Sequence, residues 1–261
     1  TSVVETPAGM TDTPTPWRRY EEQRPDDLHD LVSGHPVAYW PLGLLEHHGW
    51  ALPVGYDGIK ADRICQRLAD RTGGVILPTM WWGGGGGHGA FRWTHYQPLE
   101  ATAAILEATV RQLFDSGFRV IVLLAGHYPW QSLLQESVPS LVADHPEGLL
   151  LAGTELTIAG DLGLLGDHAA LEETSYGLAL FPEHIDVSAL TPGRQAGATW
   201  AASGPPPEDD RHPGVEYDPA QPLFGQLGKD ARQASAERGE TGLNHLVEEL
   251  AGRILQFLAD G

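Results

Sequence analysis

The chain predicts an α/β fold, with a mainly parallel sheet covered by helices on both faces. Three observations carry that prediction. Strand and helix signals alternate from residue 36 to residue 154. One strand, FRVIVLLAG (118–126), is a continuous apolar run, as a strand buried on both faces requires. The chain has 261 residues, 41 % of them hydrophobic, enough for one large domain with a substantial core. In such folds ligand sites form outside the carboxyl ends of the strands.

Residues 1–25 are polar and proline-rich and read as a flexible lead. Residues 26–261 read as a single domain. PVAYWPLG (36–43) is a buried strand signal. DGIKADRICQRLADRTG (57–73) places Ile59, Ile64, Leu68 and Ala69 near helical spacing and stops at a glycine pair. GVILPTM (74–80) reads as the next strand. The stretch 98–117 sets Leu99, Ala103, Leu106, Val110 and Leu113 on one helical face. Residues 130–144 read as helix and GLLLAGT (148–154) as strand. The segment 191–222, with SGPPPEDDRHPG, reads as a long surface loop, and a last helix follows over 228–259.

Composition excludes several function classes. There are 16 Lys+Arg against 35 Asp+Glu, a net charge of −19. A surface this acidic repels phosphate backbones, so no nucleic-acid partner is expected. Cys65 is the only cysteine, so no intrachain disulfide can form, and it falls inside a helix signal. The first residues lack the basic start and apolar core of a signal peptide. No apolar run approaches the roughly 18 residues that cross a bilayer. The expectation is a cytoplasmic protein with no membrane partner. GxSxG, GxxxxGK[ST] and HExxH are absent. A metal-activated water is the remaining obvious route to hydrolysis.

The candidate site residues gather at strand ends. In LLEHHGWALPVGYD (44–57), Glu46 and His48 are two apart, so extended backbone points them to one side and turns His47 away. Asp57 begins the next helix signal, where it could bind a cation or cap the helix. His127 ends the FRVIVLLAG strand. GDHAALEETSYG (166–177) adds Asp167, His168, Glu172 and Glu173; in regular helix His168 and Glu172 would share a face. WWGGGGGHGAFRWTHY (81–96) surrounds five glycines with Trp81, Trp82, Phe91, Trp93 and Tyr96, and adds His88, Arg92 and His95. It reads as a mobile flap with aromatic walls or as an aromatic-rich subunit contact, and the two are compatible.

These stretches together resemble the creatininase (creatinine amidohydrolase) family. PLGLLEHHGWALPVGYD (41–57) is similar to its Glu-x-His-Gly segment followed by Leu-Pro and Asp. AGHYPW (125–130) matches a strand ending in Gly-His, and HAALEETS (168–175) matches His-Ala-x-x-x-Glu-Thr-Ser. GGGHGAF (85–91) resembles its glycine loop, and 225–250 its closing helix. The resemblance implies a three-layer α/β/α sandwich and two divalent metals per subunit, zinc, manganese or iron. It implies Glu46 and His127 on one metal, His48 on the other, and Asp57 bridging. Creatininase itself adds a Glu two residues after the Gly-His histidine. Pro129 stands there and has no donor, so the resemblance prefers Glu173 as the further ligand. His168, or Glu173, would move the proton to the leaving nitrogen. Trp82, His88, Trp93, Tyr96 and Tyr128 would wall the pocket, and Arg92 would hold an anionic group.

Other positions depart from the family. Trp50 and Ala51 stand where Pro and His are usual, Gly85 replaces a substrate-side Ser, and FRWT (91–94) replaces Phe-Pro-Gly-Thr. The expectation is therefore a hydrolase of a non-peptide, possibly cyclic, amide in specialised small-molecule metabolism, with creatinine not the substrate. The alternatives are different chemistry on the same scaffold (a deformylase, an oxidised-inositol hydrolase, a biosynthetic step) or a non-catalytic binding protein. A homo-oligomer is implied too, hexamers being usual in the family.

Overall fold

The computed structural model describes residues 16–192 and 196–260. The chain runs β1 (Trp17–Arg19), α1 (Pro25–Gly34), β2 (Val37–Leu42), α2 (Tyr56–Thr72), β3 (Gly74–Ile76), α3 (Leu99–Asp115), β4 (Val120–Ala125), α4 (Trp130–Asp144), β5 (Leu149–Thr154), α5 (Leu171–Leu180) and α6 (Ala236–Asp260). Five parallel strands form one sheet in the order β1-β3-β2-β4-β5. Side chains alternate across β2 and β4. Val37, Tyr39, Val120, Val122 and Leu124 pack under α2 and α6. Ala38, Trp40, Leu42, Ile121, Leu123 and Ala125 pack against α3 and α4. The result is the three-layer α/β/α sandwich. No helix among the described residues is long and apolar enough to cross a membrane.

Four expectations need adjusting. The lead is partly structured: its first fifteen residues lie outside the described ones, but Trp17–Arg19 adds an edge strand beside β3. Leu99 is exposed, while Leu106, Val110 and Leu113 of α3 are buried. The last helix starts at Ala236, because Gly228 at φ 143° and a 3₁₀ turn at Ala231–Gln233 interrupt the earlier stretch. The segment expected as a surface loop folds back, with Val215 bridging Leu227 and Trp200 bridging Phe91.

The strand ends press directly on the first turn of α2. A Cβ on Gly126 would lie 2.0 Å from the Asp57 carbonyl oxygen, and one on Gly43 would lie 2.4 Å from Gly58 Cα. Only glycine allows that approach. It holds Asp57 against the carboxyl edge of β2 and β4.

Candidate metal centre

Past β2, the chain sends Glu46, His47 and His48 into the interior, all at most 3 % exposed. The Glu46 amide donates to the Val54 carbonyl at 2.8 Å, closing a tight loop back to α2. Glu46 and His48 turn to one side, and His47 packs away from them against Trp50, Phe91 and Phe224. Asp57 sits one residue inside α2, whose N-cap is Gly55, so its carboxylate is free of capping.

The donors converge. His127 Nδ1 lies 3.0 Å from Glu46 Oε2 and 3.2 Å from Asp57 Oδ2. His48 Nε2 lies 3.1 Å from Asp57 Oδ1 and 3.6 Å from Glu173 Oε2. Asp57 thus turns one oxygen to each imidazole. Glu46 Oε2, His48 Nε2 and Asp57 Oδ2 are buried without a well-formed hydrogen bond. Buried polar atoms that cluster without pairing are what a cation site requires of its ligands. Among the described residues, three groups have donor atoms within 4.8 Å of one another: Glu46, Asp57 and His127; His48, His168 and Glu173; Glu46, His88 and His168. A set of carboxylates and imidazoles fits Zn²⁺ or Mn²⁺.

Backbone carbonyls orient every imidazole involved. His127 Nε2 meets Gly85 O at 2.9 Å, His48 Nδ1 meets Glu46 O at 3.1 Å, His168 Nε2 meets His47 O at 2.9 Å, and His88 Nε2 meets Gly225 O at 3.0 Å. A ring N–H committed to a carbonyl fixes the tautomer and leaves the other nitrogen as the donor atom for a metal. The glycine loop is therefore part of the site: Gly85 holds His127. Tyr96 joins loop and site, its hydroxyl accepting from the His88 amide and donating to Glu46 Oε1, both at 2.9 Å.

Glu173 is gripped from both sides. Its Oε2 accepts from the Ala169 amide at 2.8 Å, and its Oε1 lies 3.3 Å from Lys60 Nζ. Lys60 is fully buried and pairs with Glu155 at 2.6 Å, while Tyr128 donates to the same Glu155 oxygen. Lys60 and Glu155 were absent from the sequence-based site. One signal existed: Lys60 lies three residues after Asp57, on the same face of α2.

Glu172 and Glu173 separate cleanly. His168 lies before α5, in a bridge to Leu227, and Ala169 has φ 53°. The helical spacing between His168 and Glu172 therefore does not apply. Glu172 turns to Arg238, with contacts of 2.8 and 2.7 Å. Asp167 accepts from the Glu172 and Glu173 amides and caps α5.

Of the expected pocket residues, His88 and Tyr128 line the cavity, and Tyr96 stands behind Glu46. Trp82, Arg92 and Trp93 do not reach it. Trp82 and Trp93 are 50 % and 53 % exposed. Trp93 has φ 72°, which turns it outward, and Arg92 stacks on it and donates to the Gly197 carbonyl. The cavity, about 350 Å³, has Glu46, Asp57, His127 and Glu173 among its lining; His212 and Val215 reach it from the folded-back segment, and Leu227 from the stretch that Val215 bridges.

Burial disfavours charge on all these groups, and their neighbours decide the outcome. For His48, Asp57, Glu173 and Glu46 outweigh burial and hold it up at about 9. Glu46 and Asp57 likewise hold His127 well above its ordinary value. Burial pushes His88 and His47 down to about 3. It also lifts Glu173 to about 7, against the pull of Lys60 and His48. Metal-free protein thus carries protons on the two nitrogens a cation would need. Raised histidine values mean stabilisation that is complete below about 6.5 and lost as pH rises through about 9. Metal-stripped protein is expected to resist urea less at about pH 9.5 than at about pH 6. Metal loading at neutral pH should release protons, read by calorimetry in buffers of different ionisation heat. Stability flat across that window would refute the assignment.

Known proteins resemble the chain in sequence and in fold. The sequence profile of the creatininase family (creatinine amidohydrolase) matches residues 21–254. A creatinine amidohydrolase of Pseudomonas putida is 26 % identical over 265 positions, covering 91 % of this chain and 93 % of its own. The fold matches a crystal structure of creatinine amidohydrolase with a TM-score of 0.71 at 23 % identity, over 91 % of this chain and 96 % of that one. A manganese creatininase matches with a TM-score of 0.70 at 23 % identity, over 91 % and 97 %.

Proposed function

The chain belongs to the creatininase family and is a metal-dependent amidohydrolase, and from that premise we propose that it hydrolyses the C–N bond of a small non-peptide amide, cyclic amides included, other than creatinine. The observation that carries the metal reading is Asp57, which turns one carboxylate oxygen to His48 and the other to His127. Glu46, Asp57 and His127 would hold one divalent ion, and His48, Asp57 and Glu173 a second. Bound ions, zinc, manganese or iron, would acidify a water and polarise the substrate carbonyl. Tyr96 and the loop carbonyl of Gly85 keep Glu46 and His127 aimed. His168, its Nε2 tied to the His47 carbonyl, has a ring nitrogen left to carry a proton to the leaving nitrogen. Trp50, Ala51 and Gly85, where the family usually has other residues, support a substrate other than creatinine. The exposure of Trp82 and Trp93 suits a contact between copies in a homo-oligomer.

A second reading of His168 has its own support. Its donor groups with those of His48 and Glu173, and Pro129 offers no ligand there. His168→Ala separates the two. As proton carrier, the variant keeps both ions and loses roughly 10²–10⁴-fold in hydrolysis. As ligand, it loses one ion per chain by elemental analysis. A panel of amides and lactams that includes creatinine, followed by amine release from metal-loaded protein, tests the substrate reading. Creatinine turned over as fast as the best member would overturn it.

A further inference from the structure

We infer that the substrate carries an uncharged apolar group beside the scissile amide and no carboxylate or phosphate; this rests on the metal-centre reading above. The cavity is chemically lopsided. Its lining joins the donors Glu46, Asp57, His127 and Glu173 to the apolar side chains of Leu156, Val215, Leu227 and Pro129 and to the Tyr128 ring. Among the described residues no Lys or Arg lines it. Lys60 lies fully buried nearby, already shared between Glu155 and Glu173. Arg92, the cation expected to grip an anionic substituent, instead covers Trp93 outside the cavity.

Two histidines of the lining already hold backbone partners: His88 Nε2 meets the Gly225 carbonyl at 3.0 Å, and His212 Nδ1 accepts from the Gly214 amide at 3.1 Å. Asp167 adds a carboxylate at the rim. A substituent with negative charge would lose its water against Leu and Val and meet no lysine or arginine of the lining among the described residues. A volume of about 350 Å³ lies at the small end of ligand pockets, enough for one ring beside an amide.

Three hydroxamates test this on the zinc-loaded full chain: acetohydroxamate, benzohydroxamate and 4-carboxybenzohydroxamate. All three chelate through the same group, so differences in affinity read the wall. Benzohydroxamate is expected to bind at least about tenfold tighter than acetohydroxamate, a factor that burying a phenyl ring readily supplies. The carboxylated analogue should lose that gain. Val215→Asn should reduce the benzohydroxamate advantage while acetohydroxamate binds as before, which also shows that the variant is folded. Equal affinities, or tightest binding by the carboxylated compound, overturn the inference. Failure of acetohydroxamate to bind at all would instead overturn the metal-centre reading on which it rests.

Discussion

Asp57→Ala is expected to hold less than about half a divalent ion per chain and to lose hydrolysis by on the order of 10³-fold or more. The size of the effect follows from geometry. Each Asp57 oxygen lies within 3.2 Å of a different imidazole. Truncation therefore removes a donor from both halves of the site, where loss of His48 or His127 removes one from a single half. The fold should survive, because Gly55 is the helix N-cap and the Asp57 side chain caps nothing. Elemental analysis after dialysis, with circular dichroism to check folding, decides it. A folded variant that retains two ions per chain would show that Asp57 does not bridge.

Lys60→Met is expected to produce the largest loss of stability, roughly 3–5 kcal/mol, as when one partner of a buried ion pair is removed. Met matches the length of the lysine stem, so the loss reports charge rather than shape. What remains is Glu155, fully buried, with only the Tyr128 hydroxyl at Oε1 and nothing at Oε2. The companion Lys60→Met/Glu155→Gln variant should recover more than half the loss, because Glu155 no longer keeps a lone buried charge, while Glu173 retains the Ala169 amide and His48. Urea titrations of metal-stripped protein measure both. Equal stability of the two variants would show that the pair is not the source of the effect.

The parts of the fold set by local pattern were legible. A strand buried on both faces is a continuous apolar run, and β4 reads that way. Three-residue β1 lies in a polar, proline-rich stretch and carries no such signal. It exists because β3 offers it an edge. Glu46 and His48 were readable as a pair because two residues of extended chain that are two apart point to one side, a local relation that carries past the end of β2. Glu172 and Glu173 were not separable by periodicity, because the break at Ala169 and the pull of Arg238 come from elsewhere in the chain. Lys60 was missed for the same reason. A lysine on a helix normally faces water, and its burial here depends on Glu155, 95 residues away. In the aromatic loop, composition does not say which way Trp93 turns, so its place outside the cavity was not legible.

The buried lysine also sets the site's charge count. Glu46, Asp57, Glu155 and Glu173 are buried together, and among the described residues Lys60 is the cation buried with them. Glu172 is matched by Arg238 and Asp167 by the amides of α5. One ammonium against four carboxylates leaves three negative charges. Two divalent ions would bring four positive ones. The remainder would be a single positive charge, and a hydroxide held by the ions would bring the count to zero. Without Lys60 the same loaded site would be net negative, which would weaken its hold on hydroxide and its welcome for an amide oxygen that turns negative. A residue fully buried beneath the site would thus set the charge against which the hydroxide is held.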